Sequence, residues 1–208
     1  MRLIDLSVAE FIGKVDSSEP APGGGSVSAL SGALGVALAN MVCKLTTGRK
    51  KYEEHEALIQ EMIGKLAILQ TKLVEGVDKD TEAFNDVSAV FTMPKETDED
   101  KQRRKEAMQA ALKGATIVPF EAMEIIGEVL QCMEQLVGKT NATADSDFGV
   151  AALALDTAVK GSWLNVLINL DGIADEAFVN EYKQKGQEIL QKSEEIAKSI
   201  YERTVAQF

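Results

Sequence analysis

The chain has 208 residues, of which 45% are hydrophobic and only 5% aromatic, and its formal net charge is −11 at pH 7. This length suffices for a substantial core, and the acidic balance argues against nucleic acid or an anionic membrane as a partner. No apolar run approaches membrane-spanning length and the first residues lack a signal-peptide core, so we expect a soluble, cytoplasmic protein. Cys43 and Cys132 lie in apolar helical patterns and are interpreted as buried thiols, without metal-ligand spacing around them.

The first predicted helix begins at a capping box, Ser7-Val8-Ala9-Glu10, and ends near Lys14. A loop rich in proline and glycine follows, and Ser26 is placed to cap the next helix. Such a loop can bind an anion, because free N–H groups and the positive end of the helix dipole point outward together. The alternative is a loop before a buried helix whose glycines only ease packing. The candidate binding residues are Gly23, Gly24, Gly25 and Ser26.

The helix predicted from Ser26 to Leu45 carries two stripes at helical spacing. The apolar stripe consists of Val27, Leu30, Leu34, Leu38, Met41 and Leu45. The second stripe consists of small residues, Ser28, Gly32, Gly35 and Ala39. Small residues let another helix approach closely, and this stripe has no obvious need inside a monomer. We therefore expect this helix near the interface of a dimer.

A compact basic cluster, Arg49-Lys50-Lys51, follows this helix in an otherwise acidic protein. Cations at a helix C-terminus compensate the helix dipole, which is one explanation of the cluster. The other explanation is a binding site for the carboxylates of a substrate. The sequence of this cluster does not decide between the two explanations.

A long helix is predicted from Glu53 to Phe91, and its apolar stripe is interrupted by one carboxylate. Extrapolation from Val77 to Phe84 predicts an apolar residue near position 80, where the chain has Asp80. A carboxylate on the buried face of a helix is costly unless it is paired, hydrogen-bonded or functional. We therefore consider two roles for Asp80, structural pairing with a lysine or a helix terminus and catalysis, and we expect Asp78 to face solvent.

The second half of the chain also has helical patterns. Pro94 ends the long helix, Thr97 with Asp100 can cap the next one, and Pro119 is expected to kink or divide it. After a polar loop, a helix from about residue 146 to 170 carries Asn165 and Asn169 on one face. These amides either form inter-helix hydrogen bonds or bind a polar heterocycle. A last helix runs from residue 176 to the C-terminus.

No segment alternates with the period of a strand, and neither a repeat nor a linker divides the chain. The sequence therefore predicts one domain over residues 1–208. Its fold class is all-α: an up-and-down bundle of about six helices, including long ones, that forms a dimer.

Six motifs occur in the same order as in a known family. They are residues 22–27 (PGGGSV), 47–52 (TGRKKY), 78–84 (DKDTEAF), 93–95 (MPK), 146–152 (SDFGVAA) and 165–170 (NVLINL). Together they resemble the cyclodeaminase domain of formiminotransferase-cyclodeaminase and its stand-alone relatives known as methenyltetrahydrofolate cyclohydrolases. The resemblance covers nearly the whole chain, without the formiminotransferase half. Residues 139–142, Lys-Thr-Asn-Ala, depart from the Gly-Asn that is more usual there.

The resemblance implies a homodimer or dimer of dimers that acts on tetrahydrofolate derivatives without a metal or organic cofactor. It assigns catalysis to the carboxylate that corresponds to Asp80. On this basis we expect the glycine loop and Arg49, Lys50 and Lys51 to hold the glutamate tail of a polyglutamylated folate. Asp147, Asn165 and Asn169 are expected to pair with the pterin or the reacting nitrogens. A separate formiminotransferase is a possible partner.

Three functions follow from this interpretation. The first is cyclisation of 5-formimidoyltetrahydrofolate to 5,10-methenyltetrahydrofolate with release of ammonia, as in histidine degradation. The second is hydrolysis of 5,10-methenyltetrahydrofolate to 10-formyltetrahydrofolate. The third is a non-catalytic helical scaffold that binds folate or a protein, against which the buried Asp80 argues.

Overall fold

The computed structural model describes residues 2–208, which form six α-helices and no β-strand. The helices are α1 (Val8–Val15), α2 (Gly24–Thr46), α3 (Glu56–Val90), α4 (Asp98–Leu136), α5 (Asp145–Leu170) and α6 (Glu176–Val205). Short 3-10 turns cover Leu3–Asp5, Lys50–His55 and Ala142–Ala144. The prediction of an all-α bundle of about six helices is confirmed.

Helices α2 to α5 form an up-and-down four-helix bundle in which α2 packs against both α3 and α5. Helix α6 lies against α4 and α5, while the segment before α2 packs on α2 and α3. One continuous apolar core joins α2 to α6, and its fully buried side chains include Leu66, Met123, Leu130 and Leu155. This arrangement places the N-terminus of α2, the C-terminal half of α3 and the C-terminus of α5 at one end of the bundle.

Two of the predicted helix caps are confirmed and one is wrong. Capping boxes begin α1, between Ser7 and Glu10, and α4, between Thr97 and Asp100. Helix α2 instead begins at Gly24, with Gly23 as its N-cap residue and no side-chain cap. Ser26 therefore lies inside the first turn of α2, and its side chain is fully buried.

Pro119 does not divide α4, which runs without a break over 39 residues. Proline removes one backbone donor and crowds the preceding turn, which usually interrupts a helix. Here Pro119 is buried beside Phe120, and the turns on both sides are held by core residues such as Ala115 and Met123. Tertiary packing thus overrides the local preference for a break.

The structure reverses the expected roles of the two stripes of α2. The small stripe is buried inside the monomer, where α5 approaches so closely that a Cβ on Gly35 would lie 2.8 Å from Leu155 Cγ. The stripe is therefore needed within one chain, and the reason given for a dimer was wrong. The larger residues of the apolar stripe face outward, and Val27, Leu34, Met41 and Leu45 are exposed. The dimer stays a prediction, which now depends on this outward face.

Two helical segments are long and apolar enough to cross a membrane by length and composition: Gly24–Thr46 and Ala142–Leu170. The expectation that no run approaches membrane-spanning length was therefore wrong. The most apolar windows of these segments are 61% and 44% buried inside the bundle, respectively. A core helix of a bundle passes the same test, because its apolar side chains contact other helices instead of lipid.

Candidate active site

Asp80 lies where α3 meets the N-terminus of α2. The Ser26 hydroxyl lies 3.1 Å from Asp80 Oδ2 and 2.8 Å from the carbonyl oxygen of Val77, in position to donate to either. The same hydroxyl is 3.2 Å from Thr81 Oγ1. Among residues 2–208, Asp80 forms no salt bridge, and neighbouring Lys79 pairs with Glu75 instead. Pairing with a lysine is therefore absent from this part of the chain, whereas pairing with a helix terminus is present, because the Ser26 backbone in the first turn of α2 hydrogen-bonds to Asp80.

Gly25 makes room for the Asp80 carboxylate. A Cβ built on Gly25 would lie 1.9 Å from Asp80 Oδ1 and 2.6 Å from Oδ2, so any other residue there would displace the carboxylate. The carboxylate thus lies directly against the backbone of the first turn of α2. The positive end of a helix dipole stabilises an anion at this position. The anion at the glycine-rich N-terminus of α2 is therefore the protein's own Asp80.

The surroundings of Asp80 act on its pKa in opposite directions. Burial raises the pKa of the carboxyl above its usual value, while hydrogen bonds from the Ser26 hydroxyl and backbone lower it and offset part of the effect. The raised pKa brings the group closer to neutral pH, where a carboxyl can both accept and return a proton.

A cavity of about 270 Å³ opens in front of Asp80. Its walls come from α2, α3, α4, α5 and the segment before α2: Pro20, Ala21, Gly23, Gly24, Gly25, Asp80, Phe84, Val87, Ala115, Asn165, Ile168 and Asn169. Sites that enclose a whole drug-sized ligand usually measure about 300–1,000 Å³. At about 270 Å³, this cavity lies just below that range.

The two asparagines of α5 lie on the cavity wall opposite Asp80. Asn165 donates its amide NH₂ to the carbonyl of Gly161, and Asn169 donates to the carbonyls of Ala115 and Asn165. Within the described residues, neither amide oxygen accepts a hydrogen bond. Only the Asn169 nitrogen joins two helices, because the Asn165 nitrogen bonds within α5. Binding of a polar heterocycle by the two oxygens stays a prediction.

The candidate residues fall into two groups at opposite ends of the bundle. Asp80, the glycines, Ser26, Asn165 and Asn169 surround the cavity. The basic cluster Arg49-Lys50-Lys51 follows the C-terminus of α2, and Asp147 lies in the first turn of α5 beside it. Helix α2 spans 23 residues, so these groups are separated by about 33 Å within one chain. One chain therefore does not bring the basic cluster to Asp80.

The connection between α2 and α3 holds the basic cluster in place. Gly48 has a φ of +73°, which turns the chain sharply after α2, and the buried Tyr52 accepts a hydrogen bond from the N–H of Ala142 at 3.0 Å. Thr46 Oγ1 also accepts from the N–H of Asn141 at 2.8 Å. Arg49, Lys50 and Lys51 remain exposed on this anchored turn.

Sequence reasoning misplaced one residue and missed several others. Asp78 was expected to face solvent, but it is half-buried and accepts the backbone N–H of Leu3 at 2.5 Å. It therefore holds the first residues of the chain against α3. Thr81, Val87 and Ile168 were not considered. Thr81 and Ile168 carried a signal, because each lies within one of the six motifs, and Val87 carried none.

Comparisons with known proteins agree with the resemblance seen in the motifs. Residues 7–188 match the family model of formiminotransferase-cyclodeaminase. A methenyltetrahydrofolate cyclohydrolase from Methylorubrum extorquens is 38% identical over 94% of both chains. A formimidoyltransferase-cyclodeaminase from Sus scrofa is 36% identical over 98% of this chain, which spans only 38% of that protein. The crystal structure of a formiminotetrahydrofolate cyclodeaminase from Thermotoga maritima matches with a TM-score of 0.79 and 30% identity, covering 96% of this chain and 93% of the other.

Proposed function

Because this chain belongs to the formiminotransferase-cyclodeaminase family, we propose that it is an enzyme that converts 5-formimidoyltetrahydrofolate to 5,10-methenyltetrahydrofolate and ammonia. The observation that carries the proposal is the single carboxylate of Asp80, without a salt bridge in the described chain, at the cavity. The relatives from Sus scrofa and Thermotoga maritima are named for this cyclodeaminase activity.

The reaction needs a group that both removes and returns a proton. N10 of the folate attacks the formimidoyl carbon, a new C–N10 bond forms, and Asp80 takes the proton from N10. The formimidoyl group enters protonated, as an amidinium ion, so the attack leaves its nitrogen as an NH₂ group. The protonated carboxyl then delivers the proton from N10 to this NH₂ group, the C–N bond to that nitrogen breaks, and ammonia leaves. The remaining methenyl group bridges N5 and N10 as a cation, which the ionised carboxylate stabilises.

Other cavity residues position the substrate in this proposal. The free amide oxygens of Asn165 and Asn169 accept hydrogen bonds from N–H groups of the pterin ring. Gly23 and Gly24 let the ligand approach the α2 backbone closely, because they have no side chain. Phe84 and Ile168 supply apolar wall area against which a flat heterocycle packs.

Hydrolysis of 5,10-methenyltetrahydrofolate to 10-formyltetrahydrofolate is the second candidate activity. One observation favours it: the cyclohydrolase from Methylorubrum extorquens matches this chain over nearly the full length of both. In this reaction Asp80 removes a proton from the water that attacks the methenyl carbon. It then returns this proton to N5 as the bond from that carbon to N5 breaks, and the remaining hydroxyl proton is released as the formyl C=O forms. The methenyl cation and the base Asp80 thus take part in both candidate reactions.

Side-by-side turnover of the two folates tests the proposal. We expect methenyl absorbance to appear, and ammonia to be released, when 5-formimidoyltetrahydrofolate is supplied. Loss of methenyl absorbance from 5,10-methenyltetrahydrofolate, faster than its spontaneous hydrolysis, would instead identify the cyclohydrolase. Turnover of neither folate would contradict both proposals.

The relatives also suggest where the substrate comes from. The protein from Sus scrofa is much longer than this chain, and its name joins a formimidoyltransferase to the cyclodeaminase. We infer that this chain receives its substrate from a separate formimidoyltransferase, because a formimidoyl group must first be placed on N5.

Changing Ser26 to alanine is expected to shift the pH dependence of turnover. The Ser26 hydroxyl lowers the pKa of Asp80 by donating a hydrogen bond, so its removal raises that pKa further. The base must be ionised, and the acidic limb of the kcat/KM profile therefore moves to higher pH. Ser31→Ala is the matched control, because the Ser31 hydroxyl donates to Ala154 of α5 instead. Equal profiles for both variants would contradict the role of Asp80 as the base.

A further inference from the structure

The buried hydroxyl of Ser26 has three polar neighbours but only one proton to donate. Its oxygen lies 2.8 Å from the Val77 carbonyl oxygen, 3.1 Å from Asp80 Oδ2 and 3.2 Å from Thr81 Oγ1. Ser26 is fully buried, so its hydroxyl depends on hydrogen bonds within the protein. A serine hydroxyl donates one hydrogen bond and accepts up to two. Val77 and Asp80 therefore compete for the single Ser26 proton.

The hydroxyl of Thr81 does not form the hydrogen bond that two other helical threonines form. Thr71 and Thr116 each donate to the carbonyl four residues earlier in their own helix. For Thr81 that carbonyl belongs to Val77, which the Ser26 hydroxyl already contacts. In the described part of the chain, Ser26 is the one hydrogen-bond partner of Thr81 Oγ1. The Thr81 hydroxyl thus points to α2 instead of its own helix.

The charge of Asp80 decides which acceptor takes the Ser26 proton. A hydrogen bond to an ionised carboxylate is roughly twice as strong as one to a neutral acceptor, so Ser26 donates to Asp80 while Asp80 is ionised. Once Asp80 has taken up a proton its carboxyl is neutral, and the nearer Val77 carbonyl becomes the better acceptor. This carbonyl has a free lone pair for Ser26, because the helix occupies only one of its two.

Thr81 serves both arrangements with the same hydrogen bond. Its hydroxyl donates to a lone pair of Ser26 Oγ, which is free whichever way the Ser26 proton points. A bond donated to Ser26 also polarises its hydroxyl, and this strengthens the bond that Ser26 donates in turn. In both arrangements the buried Ser26 hydroxyl therefore donates one bond and accepts one.

We propose that the Ser26 hydroxyl is a switch: it donates to Asp80 when this carboxyl is ionised and turns to the Val77 carbonyl when it is protonated. Thr81 is a positioning residue that donates to Ser26 in both states. The proposal rests on the proposed function, in which Asp80 gains and loses a proton in each turnover. The bond from Ser26 keeps the buried carboxyl ionised before the transfer, and its re-formation favours the return of the proton.

No other charged side chain of the described residues shares the cavity with Asp80. The walls from α2, α4, α5 and the segment before α2 carry none. On α3, Asp78 accepts from the N–H of Leu3, and Lys79 is held in a salt bridge on its own helix. Burial and the hydrogen bonds from Ser26 are accordingly the causes that shift the pKa of Asp80. A change in the titration of Asp80 therefore reports on these hydrogen bonds.

Carbon NMR of isotope-labelled protein tests the switch without any measurement of activity. The Asp80 carboxyl carbon is the resonance that Asp80→Asn removes, and its titration is followed together with that of the Val77 carbonyl carbon. We expect both to titrate with one midpoint, because Ser26 turns to Val77 when Asp80 takes up a proton. In Ser26→Ala the Val77 carbonyl should no longer follow Asp80. A Val77 resonance that is constant with pH, or that titrates unchanged in Ser26→Ala, would overturn the proposal.

Thr81→Val tests the positioning role, because valine keeps the shape of threonine and removes the hydroxyl. Without this donor the bond from Ser26 to the carboxylate weakens. The titration of Asp80 and the acidic limb of the kcat/KM profile should therefore move to higher pH, by less than in Ser26→Ala. Adding Thr81→Val to Ser26→Ala should cause no further shift, since Thr81 acts through Ser26. Thr81→Ser keeps the hydroxyl and should restore the wild-type profile.

Thr71→Val is the matched control, because Thr71 lies on the same helix and its hydroxyl donates to the carbonyl of Ala67. It should leave both the titration of Asp80 and the profile unchanged. Equal results for the two valine variants, or a further shift in the double variant, would overturn the role of Thr81. Titrations as expected in a protein that turns over neither folate would leave the switch in place and contradict only the proposed function.

Discussion

Replacing Asp80 by asparagine is expected to lower kcat by about 10²–10⁴, the usual contribution of a general acid–base group. Asparagine keeps the volume of aspartate but cannot carry the proton from N10 to the leaving nitrogen. The fold should be no less stable, because the change removes a partly desolvated carboxylate that has no salt bridge in the described chain. Single-turnover rates and thermal melting of the same preparation measure the two effects.

The pH dependence of stability gives a second signature of this variant. Burial raises the pKa of Asp80 in the folded protein above its value in the unfolded chain, so the unfolded chain binds fewer protons between those two values. Folding stability from this group therefore falls as pH rises through that window. Asp80→Asn removes this term, and its stabilisation relative to the wild type should be larger at neutral pH than at acidic pH.

Asp86→Asn is the matched control, since Asp86 is exposed on the same helix and the chemical change is identical. It should change neither turnover nor melting. Asp78→Asn should instead weaken the contact with the N–H of Leu3 and lower stability modestly, with turnover retained. An Asp80→Asn protein that is destabilised but still active would refute the catalytic assignment.

The second large effect is expected from Gly25→Ala. The new Cβ would lie 1.9 Å from Asp80 Oδ1, so the carboxylate must rotate away from the first turn of α2. The carboxylate is the flexible end of the Asp80 side chain, so we expect the protein to fold. Misplacing a reacting group by about 1 Å costs roughly 100-fold in rate. We expect a folded protein whose kcat falls at least this far, as measured by turnover and circular dichroism.

A double variant tests whether Gly25 acts through Asp80. If Gly25→Ala only displaces the carboxylate, adding it to Asp80→Asn should lower kcat little further, because the displaced group is already inactive. Gly64→Ala is the control: nothing lies within 4 Å of a Cβ there, and we expect a gain of about 0.5–1 kcal/mol in helix stability. Fully additive losses in the double variant would show that Gly25 serves folding or substrate binding instead.

Much of the fold could be predicted because helical periodicity and capping are local signals. The capping boxes at Ser7 and Thr97 and the interruption of an apolar stripe by Asp80 needed only nearby residues. Local signals could not predict which face of α2 points into the core, since both of its stripes have helical spacing. Close contact with Leu155 buried the small residues, and this outcome depends on which helix lies opposite.

The distances between the candidate site residues could not be predicted from the sequence either. Six motifs in order suggested one site, yet Asp80 and the basic cluster after α2 lie at opposite ends of the bundle. Periodicity assigns a residue to a face of its own helix but gives no distance between helices. The role of Ser26 was missed for the same reason, because its hydroxyl contacts Val77 and Asp80, which lie 51 and 54 residues away.

The construction of the cavity walls also determines how molecules pass in and out. Four of the walls are helices, which cannot open without breaking successive backbone hydrogen bonds. The segment from Pro20 to Gly23 forms the remaining wall, and only its last carbonyl, that of Gly23, joins the helical hydrogen bonds of α2 by accepting from the N–H of Val27. Motions of such loops take nanoseconds to microseconds, far less than a typical catalytic cycle. We therefore expect this short stretch to move when a substrate enters and a product leaves, while the Asp80 carboxylate keeps its place between α2 and α3.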